Sequence, residues 1–146
     1  MAGQDKKVAA FLIRCSTNKQ DYQRQIKDLN TVAERFGFVV KPEFIFGQQI
    51  TGKDDTTKTD RISIIECRKA AEAHRYDVLL VNEVSRMSRD SVSGRVYVRQ
   101  FRNLGIPIYF RDKNKWTMDL NTLEVDELFE RDLGSYFDGA SDYLKS

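Results

Sequence analysis

Little in this chain supports histidine, metal or thiol chemistry. Of its 146 residues one is histidine, His74, and two are cysteines, Cys15 and Cys67. His74 reads as a surface residue at a helix end, which excludes a Ser-His-Asp triad and zinc chemistry. The cysteines match no zinc spacing and suit a reducing compartment, so the cytoplasm is expected. Cys15 also lacks the arginine placement of a cysteine phosphatase and reads as a small buried hydrophobe. No apolar run approaches a membrane span, and the polar residues 1–7 do not read as a signal peptide. The one tryptophan, Trp116, lies in a polar stretch and is expected to pack over the last helix.

What is present is a soluble single-domain composition, with 40% hydrophobic and 32% charged residues. The net charge of +2 hides an asymmetry. Residues 1–111 hold 20 Lys/Arg against 13 Asp/Glu, a balance of +7, and residues 112–146 hold 4 against 9, a balance of −5. The first part could face a polyanion, which the second would repel.

Strand and helix patterns alternate. Residues 7–13 and 77–81 read as buried strands, 38–46 as a strand with Pro42 arguing for an edge or a break, and 106–110 as another. Tyr22, Ile26, Leu29, Ala33 and Phe36 step at helical spacing over 21–36, and Gly37 sits where a C-cap glycine would. Residues 47–60 read as a loop. Asp60 is the expected cap of a helix over 61–74 with Ile62, Ile65 and Ala71 inward. A helix over 91–103 presents Val92 and Val96, and Gly105 ends it. A last stripe includes Val125, Leu128, Phe129, Leu133, Phe137 and Leu144. The order predicts an α/β fold of three layers: a mostly parallel central β-sheet with helices on both faces, then a long C-terminal amphipathic helix.

Candidate chemistry gathers where strands end. Arg14-Cys15-Ser16 follows the first strand, and Arg86-Met87-Ser88-Arg89 follows the central one. Ligands of open α/β sheets bind at the carboxyl ends of the strands, so a hydroxyl nucleophile and guanidinium groups should meet in one cleft. Ser16 alone would be read as a helix cap. Arg14, two residues earlier in extended chain, shares its side of the strand, and Arg86 and Arg89, three apart, share one side of a helical turn. With Arg61 added, serine plus arginines points to phosphoryl transfer on a phosphodiester.

These motifs resemble the catalytic domain of the serine recombinases, the resolvase/invertase family. Its Arg-x-Ser-Thr is matched by Arg14-Cys15-Ser16-Thr17, its paired glutamines by Gln20 and Gln25. The loop motif is approximated by Thr51-Gly52 and Asp60-Arg61, and Asp-Arg-Leu-x-Arg by Ser85-Arg86-Met87-Ser88-Arg89. The resemblance implies that Ser16 attacks a DNA phosphodiester, that Arg14, Arg61, Arg86 and Arg89 hold the phosphate, and that Gln20 and Gln25 support the site. It implies double-stranded DNA as partner, a homodimer that becomes a synaptic tetramer, and no metal, nucleotide or other cofactor. Residues 1–111 would form the catalytic core and 112–146 a loop and the start of a dimerisation helix, with DNA recognition expected beyond residue 146.

The chain departs from the family at Leu12, where tyrosine is usual, at Thr51, where serine is usual, and at Ser85, where aspartate is usual, with Glu83 a possible substitute. The Leu12 and Ser85 departures support the alternative, a catalytically impaired relative acting as a DNA-associated oligomerisation or regulatory module. A receiver-like phosphate module would need a carboxylate cluster at the strand ends. A P-loop over 47–53 fails because Asp54 stands where a hydroxyl should bind magnesium.

Overall fold

Strands and helices alternate along the residues that the computed structural model describes, which are 6–49, 56–87 and 91–145, without the side chains of 56, 57, 86, 91, 92 and 138–145. In chain order they are β1 (Val8–Leu12), α1 (Lys19–Phe36), β2 (Val39–Phe46), α2 (Thr56–Glu72) and β3 (Val78–Val81). A single 3-10 turn, Val84–Arg86, follows, and then α3 (Ser91–Asn103), β4 (Ile108–Phe110), β5 (Lys115–Trp116) and α4 (Glu127–Lys145).

The sheet order is β2-β1-β3-β4-β5, parallel except for the antiparallel β4–β5 pair. The period-2 alternation of strands sorts β1 cleanly. Ala9, Phe11 and Ile13 face α1 in a core with Leu29, Val32 and Ala33, while Ala10 and Leu12 face Ile64, Cys67 and Ala71 of α2. Val98 and Phe101 of α3 and Phe129, Leu133 and Phe137 of α4 complete that second core. Helices therefore cover both faces, which is why β1 and β3 are continuous apolar runs. Pro42 sits where it does least harm. Between the β1–β2 pairs Ala9↔Val40 and Phe11↔Ile45, β1 advances two residues and β2 five, so Lys41-Pro42-Glu43 bulge outward on an edge strand.

Several local readings are corrected. The cap of α1 is Asn18, whose side chain accepts from Asp21 N at 3.0 Å, so Ser16 lies outside the helix. Gly37 closes α1 with φ 76°, as expected of a left-handed C-cap. Asp60 is no cap, because α2 begins at Thr56. The inward stripe of α2 is Ile64, Cys67 and Ala71, and Ile62 is exposed. In α3, Val96 is exposed and Val98 and Phe101 are buried; in α4, Leu128 is 64% exposed. Trp116 packs against Phe36, Phe38 and Tyr109 on the α1 face, away from α4.

Candidate active site

Ser16 stands at the carboxyl end of β1, held on both sides by backbone. Its N–H donates to Gln48 O at 3.2 Å, and residues 16 and 49 form a parallel bridge beyond the end of β2. Its hydroxyl donates to Asn18 O at 3.2 Å and accepts from Asn18 N at 3.0 Å. The cap of α1 and the nucleophile candidate are thus one turn. Burial alternates along the strand end: Arg14 and Ser16 are half-buried, and Cys15 between them is buried.

Two side chains from distant elements fix this strand end. Gln25, 2% exposed on α1, brackets the Arg14 peptide: its Oε1 accepts from Arg14 N at 3.0 Å and its Nε2 donates to Arg14 O at 3.1 Å. Asp60, in the second turn of α2, accepts from Cys15 N at 2.6 Å and lies 3.8 Å from Arg14 Nε. Asp60 contributes as a buttress here, and the sequence could not show it, since 45 residues separate it from Cys15. A carboxylate accepting from a peptide N–H makes a charge-assisted bond, stronger than a neutral one.

Cys15 is structural. Gln48 N donates to its Sγ at 3.3 Å, Ser63 Oγ lies 3.7 Å away, and burial pushes the thiol pKa up. Close approach of the strand ends depends on Gly47, whose φ is 130° and whose missing Cβ leaves room for the Ile13 carbonyl. Tyr22 OH donates to Gly47 O at 3.2 Å and ties this corner to α1.

The other candidates fall as follows. Arg61 is exposed on α2, one residue beyond Asp60. Gln20 is exposed in the first turn of α1. The Arg86 backbone lies in the 3-10 turn after β3, but its side chain is outside the description, and Arg89 and Thr51-Gly52 lie outside the described residues. Ser85, where the resemblance expects a carboxylate, donates to Glu83 Oε2 at 3.3 Å. β1 and β3 are neighbours in the sheet, so their carboxyl ends bring the Ser16 segment and the 3-10 turn to the same edge.

The family model described as "Resolvase, N terminal domain" matches residues 9–137. Among solved structures the chain is similar to the N-terminal catalytic domain of TP901-1 integrase, with 21% identity, a TM-score of 0.60 and coverage of 97% of this chain and 100% of that one. It is also similar to a resolvase family site-specific recombinase from Streptococcus pneumoniae, with 14% identity, a TM-score of 0.67 and coverage of 97% and 91%. At those identities the two structures speak for the fold. No curated protein matches the sequence.

Proposed function

Because this chain belongs to the resolvase family, whose N-terminal domain its residues 9–137 match, we propose that it is the catalytic domain of a serine site-specific DNA recombinase with Ser16 as nucleophile. The observation that carries this reading is the braced strand end. Ser16 emerges from a segment whose two preceding peptides are held by Gln25 and Asp60, beside the Arg14 guanidinium.

The reaction is a phosphoryl transfer. Ser16 Oγ gives up its proton and forms a bond to phosphorus as the P–O3′ bond of the DNA strand breaks. A 5′-phosphoserine results, and the departing 3′ oxygen takes up a proton. Rejoining is the reverse, with a 3′-hydroxyl from the exchanged strand attacking the phosphoserine and Ser16 recovering its proton. One ester replaces another in each step, so no nucleotide is consumed. Such transfers need positioning and charge neutralisation above all. Arg14, Arg61, Arg86 and Arg89 supply the charge, and Gln25 and Gln20 support the site. The partner is double-stranded DNA, engaged by a homodimer that pairs into a synaptic tetramer, with residues 112–146 providing the loop and dimer helix beside the core of 1–111.

The test is covalent trapping. With nicked suicide DNA, the wild-type protein forms an adduct that maps to Ser16, and Ser16→Ala forms none while unfolding at an unchanged urea midpoint. An adduct formed by the alanine variant would refute the assignment.

A further inference from the structure

The two arginine-bearing turns are joined by a polar hub that the recombinase reading does not require. Its centre is Asn82, 4% exposed at the carboxyl end of β3. Asn82 Nδ2 donates to the backbone O of Gln25 at 3.1 Å, and Arg111 Nε donates to Asn82 Oδ1 at 2.7 Å. Arg111 Nη2 reaches Asp28 Oδ2 on α1 at 3.3 Å. Asp112 N donates to the backbone O of Asn82 at 2.9 Å, and Asp112 Oδ2 accepts from Val84 N, the first residue of the 3-10 turn, at 3.4 Å.

These bonds run in two directions. Toward α1, Asn82 holds the very residue, Gln25, whose side chain brackets the Arg14 peptide. Toward the 3-10 turn, the neighbouring Asp112 holds the peptide from which Ser85 and Arg86 follow. A buried amide satisfied at both ends is rigid, because losing either partner leaves a buried polar group unpaired. We infer that Asn82, Arg111 and Asp112 form a positioning hub that fixes the Arg14–Ser16 segment relative to the turn carrying Arg86. The inference rests on the recombinase reading for its catalytic consequence, although the hub itself does not. Hub residues touch no reacting atom. They act through Gln25 and Val84, and a slight misalignment of the reacting groups costs far more in rate than in affinity.

The experiment uses the full chain with Asn82→Ala and, in case that variant fails to fold, Arg111→Lys, which keeps a cation near Asp28 but removes the Nε–H on Asn82. Two readouts are taken. Amide hydrogen exchange without DNA should be about 10-fold faster at Arg14, and at Val84 in Asp112→Ala, the scale of one lost buried hydrogen bond, and unchanged at Leu79 and Leu80. With suicide DNA at saturation the cleavage rate constant should fall about 10-fold or more at unchanged Kd. Unchanged exchange at Arg14 and Val84, or a loss of affinity with an unchanged rate, would overturn the hub. A wild-type protein that forms no adduct while its variants show the exchange effect would sink the recombinase reading and leave the hub standing.

Discussion

Asp60 shows what one carboxylate does at the scale of a residue. Its bond to Cys15 N is short, at 2.6 Å, whereas its pair with Arg14 Nε spans 3.8 Å between side chains a quarter to a third exposed. The bond to the peptide is the stronger, about 1.5–3 kcal/mol for a charged acceptor, and the solvated pair adds under about 1 kcal/mol. Asp60→Asn keeps an acceptor for Cys15 N and should unfold in urea within about 1 kcal/mol of wild type. Asp60→Ala removes both contacts and should lose about 2–3 kcal/mol. Equal losses in the two variants would show that charge, and not the acceptor, holds the strand end. The thiols make a second residue-scale case. Burial pushes Cys67 up to about 12 and raises Cys15 as well. Reactivity follows the thiolate, so a disulfide reagent at pH 8 should label neither in the native protein and both after unfolding.

At the scale of elements, the corner where β2 turns away from β1 depends on one glycine. Gly47→Ala must place a Cβ against the Ile13 carbonyl at a φ of 130°. Neither backbone can give way, because Ile13 N is bonded to Phe46 O at 2.9 Å. We expect a loss of about 2 kcal/mol or more in a urea titration, with slower Ser16 adduct formation. The same elements show what the sequence disclosed. β1 and β3 were legible because strands buried on both faces admit nothing but apolar residues. The start of α2 was not, because Asp60 imitates a cap while the helix begins at Thr56. Its inward face was also ambiguous, since Ile62-Ile65 and Ile64-Cys67-Ala71 both step at helical spacing and only packing chooses. Trp116 was misplaced for want of β5, which draws it to the α1 face. For the site, the strand-end position of Ser16 and Arg14 was readable and Gln25 was expected as a support, but the contacts its buttresses make were not. Gln25–Arg14, Asp60–Cys15 and Arg111–Asn82 are tertiary contacts 11, 45 and 29 residues apart.

Across the whole molecule, part of the charge asymmetry is absorbed internally. Arg95 Nη2 donates to Gly134 O at 3.2 Å, and Arg102 pairs with Glu130 at 2.6 Å, so two of the basic residues of α3 are turned onto α4. The acids that open α4 have local work as well: Asp126 accepts from Phe129 N at 3.0 Å, and Glu127 and Glu130 lie at the positive end of the helix dipole. The balance of +7 over residues 1–111 therefore overstates the surface open to a polyanion. The proposed phosphate ligands are four arginines, Arg14, Arg61, Arg86 and Arg89. Each phosphate neutralised contributes about 0.9 to the salt slope of log K, so four arginines gathered on the scissile phosphate and its neighbours give a slope no steeper than about −3.6. Binding by residues 1–146 should be weak, on the order of 10⁻⁴ to 10⁻⁶ M at physiological salt, and equal on cognate and scrambled duplexes. Replacing the exposed Arg61 with alanine should make the slope shallower by at most about 1 and weaken both duplexes alike. Fluorescence anisotropy on the two duplexes at several salt concentrations measures all of this. A slope near −8, or a preference for one duplex, would locate a second basic surface away from Ser16 and contradict the charge distribution drawn here.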